Sequence, residues 1–259
     1  MKKKNFKYVY GPVSSWRLGA SLGIDPLSQD NKICSFDCIY CQIGKTDVLT
    51  LERVVSVDTE EVLGEIKSLP DADIDYITFS GRGEPTLAAN LGEMIAGVRK
   101  ITNTPIAVIT NSTLLNREDV AKDLSGCDFV IAKLDAFDEK SFRAINKPHP
   151  ALNFSLLVKG IKKFRSVYQG KIGIQIMFTA VNKEHAKEIA DIAREINPYQ
   201  VQLNTPLRPC GISPLSESEM YKIKQSFKGL NVISVYEAEN KKVEPLSKNE
   251  TLKRRGKIE

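Results

Sequence analysis

The sequence predicts an α/β protein, a partial (β/α)6 TIM-like barrel with parallel strands. Short runs rich in β-branched residues alternate with helical patterns, and nearly every run stops at polar or glycine-containing residues. The runs read as continuously apolar, as strands covered on both faces do. With 259 residues, 42% of them hydrophobic, the chain can bury a full core. No composition break marks a second unit. One domain is therefore expected over 1–259, with the barrel core at about 18–230 and basic extensions at both ends. An open doubly wound sheet is the alternative arrangement of the same units.

The first strand is expected around "LGASLGIDP" or just after it, with Pro26 leaving its boundary open. The next five are "DYITFSG" (75–81), "PIAVITN" (105–111), "FVIAKLD" (129–135), "KIGIQIMFT" (171–179) and "QVQLNTP" (200–206). Between them lie the helical patterns "DTEEVLGEIKSL", "NLGEMIAGVRKI", "NREDVAKDLSG", "DEKSFRAIN", "LNFSLLVKGIKKFRSVY" and "NKEHAKEIADIAREIN". Most open on Asp or Asn, as capped helices do. Residues 230–259 are expected to add a short strand and a basic tail. In a βα barrel the working residues follow the strand C-termini. Here "GRGEP", "NST", "DAFD" and "TPLRPC" all do, so one rim gathers the chemically rich segments. A rim without further domains is expected to leave a wide mouth suited to large substrates.

Charge and hydropathy exclude some classes. No run of about 18 apolar residues is present to cross a bilayer, and the basic start "MKKKNFKYVYG" leads into no secretory apolar stretch, so a cytoplasmic protein is expected. The net charge of +5 sits at the ends: residues 1–7 and 241–259 carry +4 each, leaving −3 for the body. Solvated tails are the plain reading of such runs, and RNA contact through the basic termini is the functional one.

The stretch "CSFDCIYCQIG" holds Cys34, Cys38 and Cys41, three of the five cysteines. An odd and crowded set does not suit a disulfide framework. The spacing fits one face of a helix, where buried cysteines act as small hydrophobes. Zinc competes, but a closed zinc site needs a fourth ligand, and only the isolated Cys127, Cys210, His149 and His185 remain. A four-iron cluster is the third reading, because three thiolates would leave one iron open to another ligand.

The gaps of three and two residues, with an aromatic residue before the last cysteine (Cys34, Cys38, Tyr40, Cys41), resemble the signature of radical SAM enzymes. The resemblance implies a [4Fe-4S] cluster on Cys34, Cys38 and Cys41, with S-adenosylmethionine chelating the open iron. It further implies reductive cleavage to a 5′-deoxyadenosyl radical, oxygen sensitivity, and a one-electron reductant of flavodoxin- or ferredoxin-like type. "FSGRGEP" looks like the family's glycine-glutamate segment, so Gly81, Gly83, Glu84 and Pro85, together with Tyr40, join the expected cofactor site. Asn111, Ser112, Lys133 and Asp135 lie where the family places contacts to the ribose and the methionine carboxylate; capping by Asn111 or Asn116 and a local ion pair for Lys133 are the structural alternatives.

Within that superfamily the chain is similar to short proteins related to tRNA wyosine base synthase (4-demethylwyosine synthase-like), through "YGPVSSWRLGASLGID", "FSGRGEPTL", "KLDAFDEKSFRAINKPH" and "LNTPLRP". It departs from that synthase in having no cysteine before Cys34 to hold a second cluster, so condensation with pyruvate is not implied. Cys210, at the open rim, is a candidate for ligation, radical quenching or covalent chemistry; Cys127 reads as core. Trp16 and Arg17 either cover the cofactor or close the first strand, and Arg143, Lys147 and His149 are candidates for an anion site. The expected substrate is RNA or a modified nucleoside. A radical SAM enzyme for a protein, peptide or small molecule, including glycyl-radical activation, is the second class, and a noncatalytic iron–sulfur or zinc module the third.

Overall fold

The computed structural model describes residues 6–239 and 241–255. An antiparallel hairpin, β1 (Val9–Ser15) and β2 (Gly19–Ile24), opens the chain, followed by the two-residue strands β3 (Ile33–Cys34) and β4 (Val48–Leu49), which pair with each other. Then come α1 (Thr59–Lys67), β5 (Tyr76–Phe79), α2 (Leu91–Ile101), β6 (Ile106–Thr110), α3 (Glu118–Leu124), β7 (Phe129–Lys133), α4 (Glu139–Asn146) and α5 (Phe154–Val167). The last elements are β8 (Lys171–Met177), α6 (Ala186–Ile196), β9 (Gln200–Asn204), α7 (Glu217–Gln225), β10 (Val232–Ser234) and α8 (Lys248–Arg255). Strand order in the main sheet is β1-β2-β5-β6-β7-β8-β9-β10, and only β1 runs antiparallel to its neighbour. The two edge strands do not pair, so the barrel is partial.

All six expected parallel strands are present as β2, β5, β6, β7, β8 and β9. Their side chains alternate between two buried layers. Ile106, Val108, Val130, Ala132, Ile172, Ile174 and Ile176 pack with the helices, while Ala107, Phe129 and Ile131 pack with Leu18 on the other face. Burial on both faces is why the runs read as continuously apolar. Asp58, Asp138 and Asn153 cap α1, α4 and α5 through their side chains, as the sequence suggests. The other asparagines act elsewhere: Asn90 donates to the Val57 carbonyl at 2.9 Å, Asn182 to the Asp135 carbonyl at 2.7 Å, and Asn116 caps nothing.

The termini differ from expectation. "YGPVSSWRLGASLGID" forms the β1–β2 hairpin, so it extends the sheet edge; the Arg17 guanidinium, in its turn, lies 4.9 Å from the Trp16 ring centre. The short strand after residue 230 is β10. The basic tail, however, is not a solvated run: α8 packs on β1, with the Gly11 amide donating to Thr251 Oγ1 at 3.1 Å. Arg254 is 6% exposed and pairs with Asp25 at 3.4 Å and with Glu250 at 2.5 Å. α8 reaches the strand-end rim, where Arg254 and Arg255 line the cleft. Lys2, Lys3, Lys4 and Lys257 lie outside the described residues. Among the described residues, no helix is long and apolar enough to cross a membrane.

Phe142 of α4 is fully buried and meets Phe36 edge-on at 5.4 Å, joining the helix to the cysteine loop. Phe142→Ala is expected to lose about 3 to 5 kcal/mol of stability, read as a lower urea midpoint with unchanged slope. An unchanged midpoint would contradict this packing.

Candidate functional site

Cys34 ends β3, and the chain then crosses the C-terminal rim as a loop with little regular structure. Backbone hydrogen bonds pin it. The Asp37 amide donates to the Asn146 and Lys147 carbonyls at 3.1 Å, Ile39 to Ile145 at 3.0 Å, and His149 back to Ser35 at 2.9 Å. The segment "FRAINKPH" is thus the seat of the loop, which corrects the anion-site expectation. Arg143 pairs with Glu139 at 2.7 Å, Lys147 adopts a left-handed backbone at φ 42°, and the His149 ring accepts from the Ala151 amide. Tight turns finish the loop, Cys41 N to Cys38 O at 3.0 Å and Gly44 N to Cys41 O at 3.2 Å.

Cys34, Cys38 and Cys41 line one cleft of about 250 Å³ together with Tyr40, Gly81, Gly83, Glu84, Asn111 and Lys133. The loop after β5 touches the cysteine loop directly: the Glu84 amide donates to the Ile33 carbonyl at 3.2 Å. A Cβ on Gly83 would stand 1.9 Å from that same carbonyl, so only glycine fits there. Glu84, 2% exposed, accepts from Thr110 Oγ1 at 2.6 Å, Thr86 Oγ1 at 2.7 Å and the Asn111 amide at 2.6 Å. Burial raises its pKa, against these hydrogen bonds. Glu84 therefore latches the end of β5 to the end of β6. Asn111 reaches back to Ser35 Oγ at 2.8 Å.

Lys133 Nζ lies 3.4 Å from Asp135 and 4.8 Å from the centre of the Tyr40 ring. Asp135 itself is buried away from the cleft, accepting from the Tyr40 hydroxyl, from Asn146 Nδ2 at 2.9 Å and from the Met177 amide at 2.7 Å. Burial, then Asp135, holds the Tyr40 hydroxyl well above the ordinary phenol range. Three expected contacts are thus relocated. Asp135 braces Tyr40 and Lys133 from behind. Ser112 donates to the Lys133 carbonyl at 2.9 Å, and Pro85 starts a 3-10 turn; neither lines the cleft.

Cys210 packs beside Cys38 and Ile39 in a small cluster and its thiol donates to the Ile212 carbonyl at 3.3 Å, so it does not line the cleft. Cys127 is core, as expected, at the opposite end of the strands. Arg17, one of the two residues expected to cover the cofactor or close the first strand, lines the cleft, and so do residues without a sequence signal, among them Lys32, Met177, Arg208 and Arg255. Lys32 is 4% exposed and donates to Cys41 Sγ at 3.1 Å and the Gly44 carbonyl at 2.7 Å. A lysine before a cysteine loop reads as a surface residue; only the fold turns it inward.

The donor set suits a cluster better than a single ion. Among the described residues, no three Cys, His, Asp or Glu side chains gather on one ion position. Mononuclear zinc requires such convergence, whereas each thiolate of a cluster takes a different iron. Burial, and then Glu84, pushes the Cys34 thiol up to about 12; burial, and then Asp135, pushes Cys38 up to about 11. Such thiols ionise when a cation replaces the proton. Among the described residues, no fourth cysteine lines the cleft.

The chain is 38% identical to a UPF0026 protein of Synechocystis over 79% of its own length and 77% of the relative's. The structure of Streptococcus suis SuiB bound to S-adenosylmethionine superposes with a TM-score of 0.65 at 15% identity, covering 84% of this chain; the chain spans half of SuiB's length. An archaeal TYW1 gives 0.58 at 15% identity, covering 89% of this chain and 78% of that one. At these identities both structures establish the fold alone. The family described as Radical SAM superfamily matches residues 30–196, and the chain belongs to that superfamily, whose members are iron–sulfur enzymes that use a [4Fe-4S] cluster and S-adenosylmethionine.

Proposed function

We propose that Cys34, Cys38 and Cys41 hold the [4Fe-4S] cluster and that the enzyme abstracts a hydrogen atom from RNA or a modified nucleoside. One observation carries this reading: the three thiols, the Gly81–Glu84 loop, Asn111 and Lys133 line a single cleft at the C-terminal ends of parallel strands. When bound and reduced, the cluster supplies the electron that cleaves S-adenosylmethionine to a 5′-deoxyadenosyl radical.

The chain's own residues position and shield. The Gly81–Gly83 backbone offers polar groups without intervening side chains, and Lys133 and Asn111 offer donors for a carboxylate and a ribose. Lys32 donates to Cys41 Sγ, setting a hydrogen-bond donor beside one of the proposed cluster ligands. Met177 and the Tyr40 ring give the cleft apolar walls. Gly44 and Lys45, next to the last cysteine, are exposed, which supports electron delivery there by a flavodoxin- or ferredoxin-like protein. Five free cysteines suit a reducing cytoplasm. The likeness of four sequence segments to those of wyosine base synthase supports an RNA substrate.

The charge that supports RNA is not the C-terminal run as such. Lys241 pairs with Asp73 at 2.7 Å, and Lys253 and Arg254 pair with Glu250. Arg17, Arg208 and Arg255, which have no carboxylate partner among the described residues, bring positive charge into the cleft itself.

Two outcomes are expected. Protein reconstituted anaerobically with iron and sulfide, then reduced with dithionite, yields 5′-deoxyadenosine from S-adenosylmethionine, and Cys38→Ala yields none while losing iron. A loaded cluster whose spectrum S-adenosylmethionine leaves unchanged, with no product, sinks the reading. Asp135→Ala removes the acceptor shared by Tyr40, Asn146 and the Met177 amide and strands Lys133; a loss of about 3 kcal/mol or more is expected, with less iron retained per chain. Full iron and an unshifted melting temperature would show that Asp135 braces nothing.

A further inference from the structure

Three arginines distant in sequence meet in the cleft. Arg17 comes from the β1–β2 turn, Arg208 from the loop after β9, and Arg255 from the end of α8. They touch one another's surroundings: Arg208 Nη1 donates to the Arg255 carbonyl, and the Arg208 carbonyl accepts from Gln42 Nε2 at 3.5 Å, next to Cys41. All three are half-buried. Among the described residues, none has a carboxylate within 4.0 Å, and Arg17 Nε is fully covered with no hydrogen-bond partner. Arg254, one residue earlier, shows the contrast, because Asp25 and Glu250 neutralise it.

Like charges brought together out of water repel, and a fold keeps them only when something offsets the repulsion. Burial, followed by Arg255 and Arg208, pushes Arg17 down to about 9; burial, followed by Arg255, pushes Arg208 down to about 10. At neutral pH both remain charged. A single carboxylate presents its two oxygens in one plane, which suits one or two guanidinium forks better than three arriving from different elements. A phosphate presents three or more and accepts them in pairs.

We propose that Arg17, Arg208 and Arg255 form a binding site for a phosphate group of the substrate, beside the cluster and within the same cleft. The proposal rests on the radical SAM reading given above and names the feature by which the substrate is held. The phosphate belongs either to a free nucleotide or to an RNA backbone; the recognition chemistry is the same.

The test titrates the reconstituted holoenzyme with inorganic pyrophosphate, guanosine triphosphate and unmodified transfer RNA, alongside Arg17→Gln, Arg208→Gln and Arg255→Gln. Arg255→Gln, at a helix end, keeps the test readable if Arg17→Gln fails to fold. Wild type is expected to bind at least one probe, and each substitution to weaken that binding about tenfold with affinity for S-adenosylmethionine unchanged. Binding of pyrophosphate and guanosine triphosphate without RNA identifies a free nucleotide. RNA binding that weakens with salt at a log–log slope of about −0.7, as one contacted phosphate requires, and that each substitution weakens, identifies backbone phosphate. The site is overturned if wild type binds no probe, if the variants bind as tightly as wild type, or if the substitutions weaken S-adenosylmethionine instead. Formation of 5′-deoxyadenosine in the same preparations keeps the two readings apart. Cleavage without phosphate binding sinks the site alone, and loss of both cleavage and spectral response to S-adenosylmethionine sinks the radical reading.

Discussion

The site depends on how a loop with no sheet or helix of its own is held still. From Ser35 to Ile39 its backbone is bonded to the last turn of α4 and the residues just after it, through Ile145, Asn146, Lys147 and His149. On its other side the Ile33 carbonyl meets the Glu84 amide, and Gly83 leaves room for that contact. Backbone groups buried without partners are costly, so these bonds fix the loop wherever they can be made together. The cysteines inherit their positions from that docking. The parallel sheet matters here mainly because it brings the end of β5 and the end of α4 to the same rim.

A second constraint is electrostatic. Three thiols, a buried lysine, a buried glutamate and several arginines share one rim. Glu84 is tolerable because four donors surround it, and Asp135 because Tyr40, Asn146, Met177 and Lys133 do. These carboxylates stiffen the floor of the cleft. The groups facing into it, Lys32 and the three arginines, have few protein partners or none, which fits a cleft that receives sulfur-bound and phosphate-borne negative charge.

Much of the fold was legible. Alternating apolar runs gave all six central strands because burial on both faces leaves a strong local trace in sequence. What was missed has weak traces. The β1 strand pairs antiparallel and carries Gly11 and Pro12, which read as a loop. α7 opens with a Ser216–Glu219 capping box, a signal that "SESEM" does display. α8 is too charged to announce itself, since Thr251 and Arg254 are its buried residues and polar contacts dock it. At the site, spacing exposed the cysteines, and the resemblance to radical SAM enzymes pointed to the glycine-glutamate loop. Neither gave a sign of Lys32, Arg208 or Arg255, whose roles arise only when distant segments meet. Ser112, Pro85 and Asp135 show the reverse error: motif neighbours of cleft residues that in fact support them from behind.

The docking of α8 also bears on what enters the cleft. Asp25 is the pivot: 1% exposed, it pairs with Arg254, receives the Leu27, Ser28 and Arg82 amides, and lies against Gly81, where a Cβ would come within 2.3 Å of its carboxyl carbon. One aspartate thus joins the C-terminal helix to the loop beside the cluster. Since α8 buries little apolar surface, its hold on the rim rests on a few polar contacts, and those are the contacts most sensitive to nearby charge. An anion between Arg255, Arg208 and Arg17 would remove the main repulsion opposing the docked position. A ligand that binds one arrangement better than another stabilises that arrangement. On this account phosphate bound by the proposed arginine site would also favour the docked position of α8.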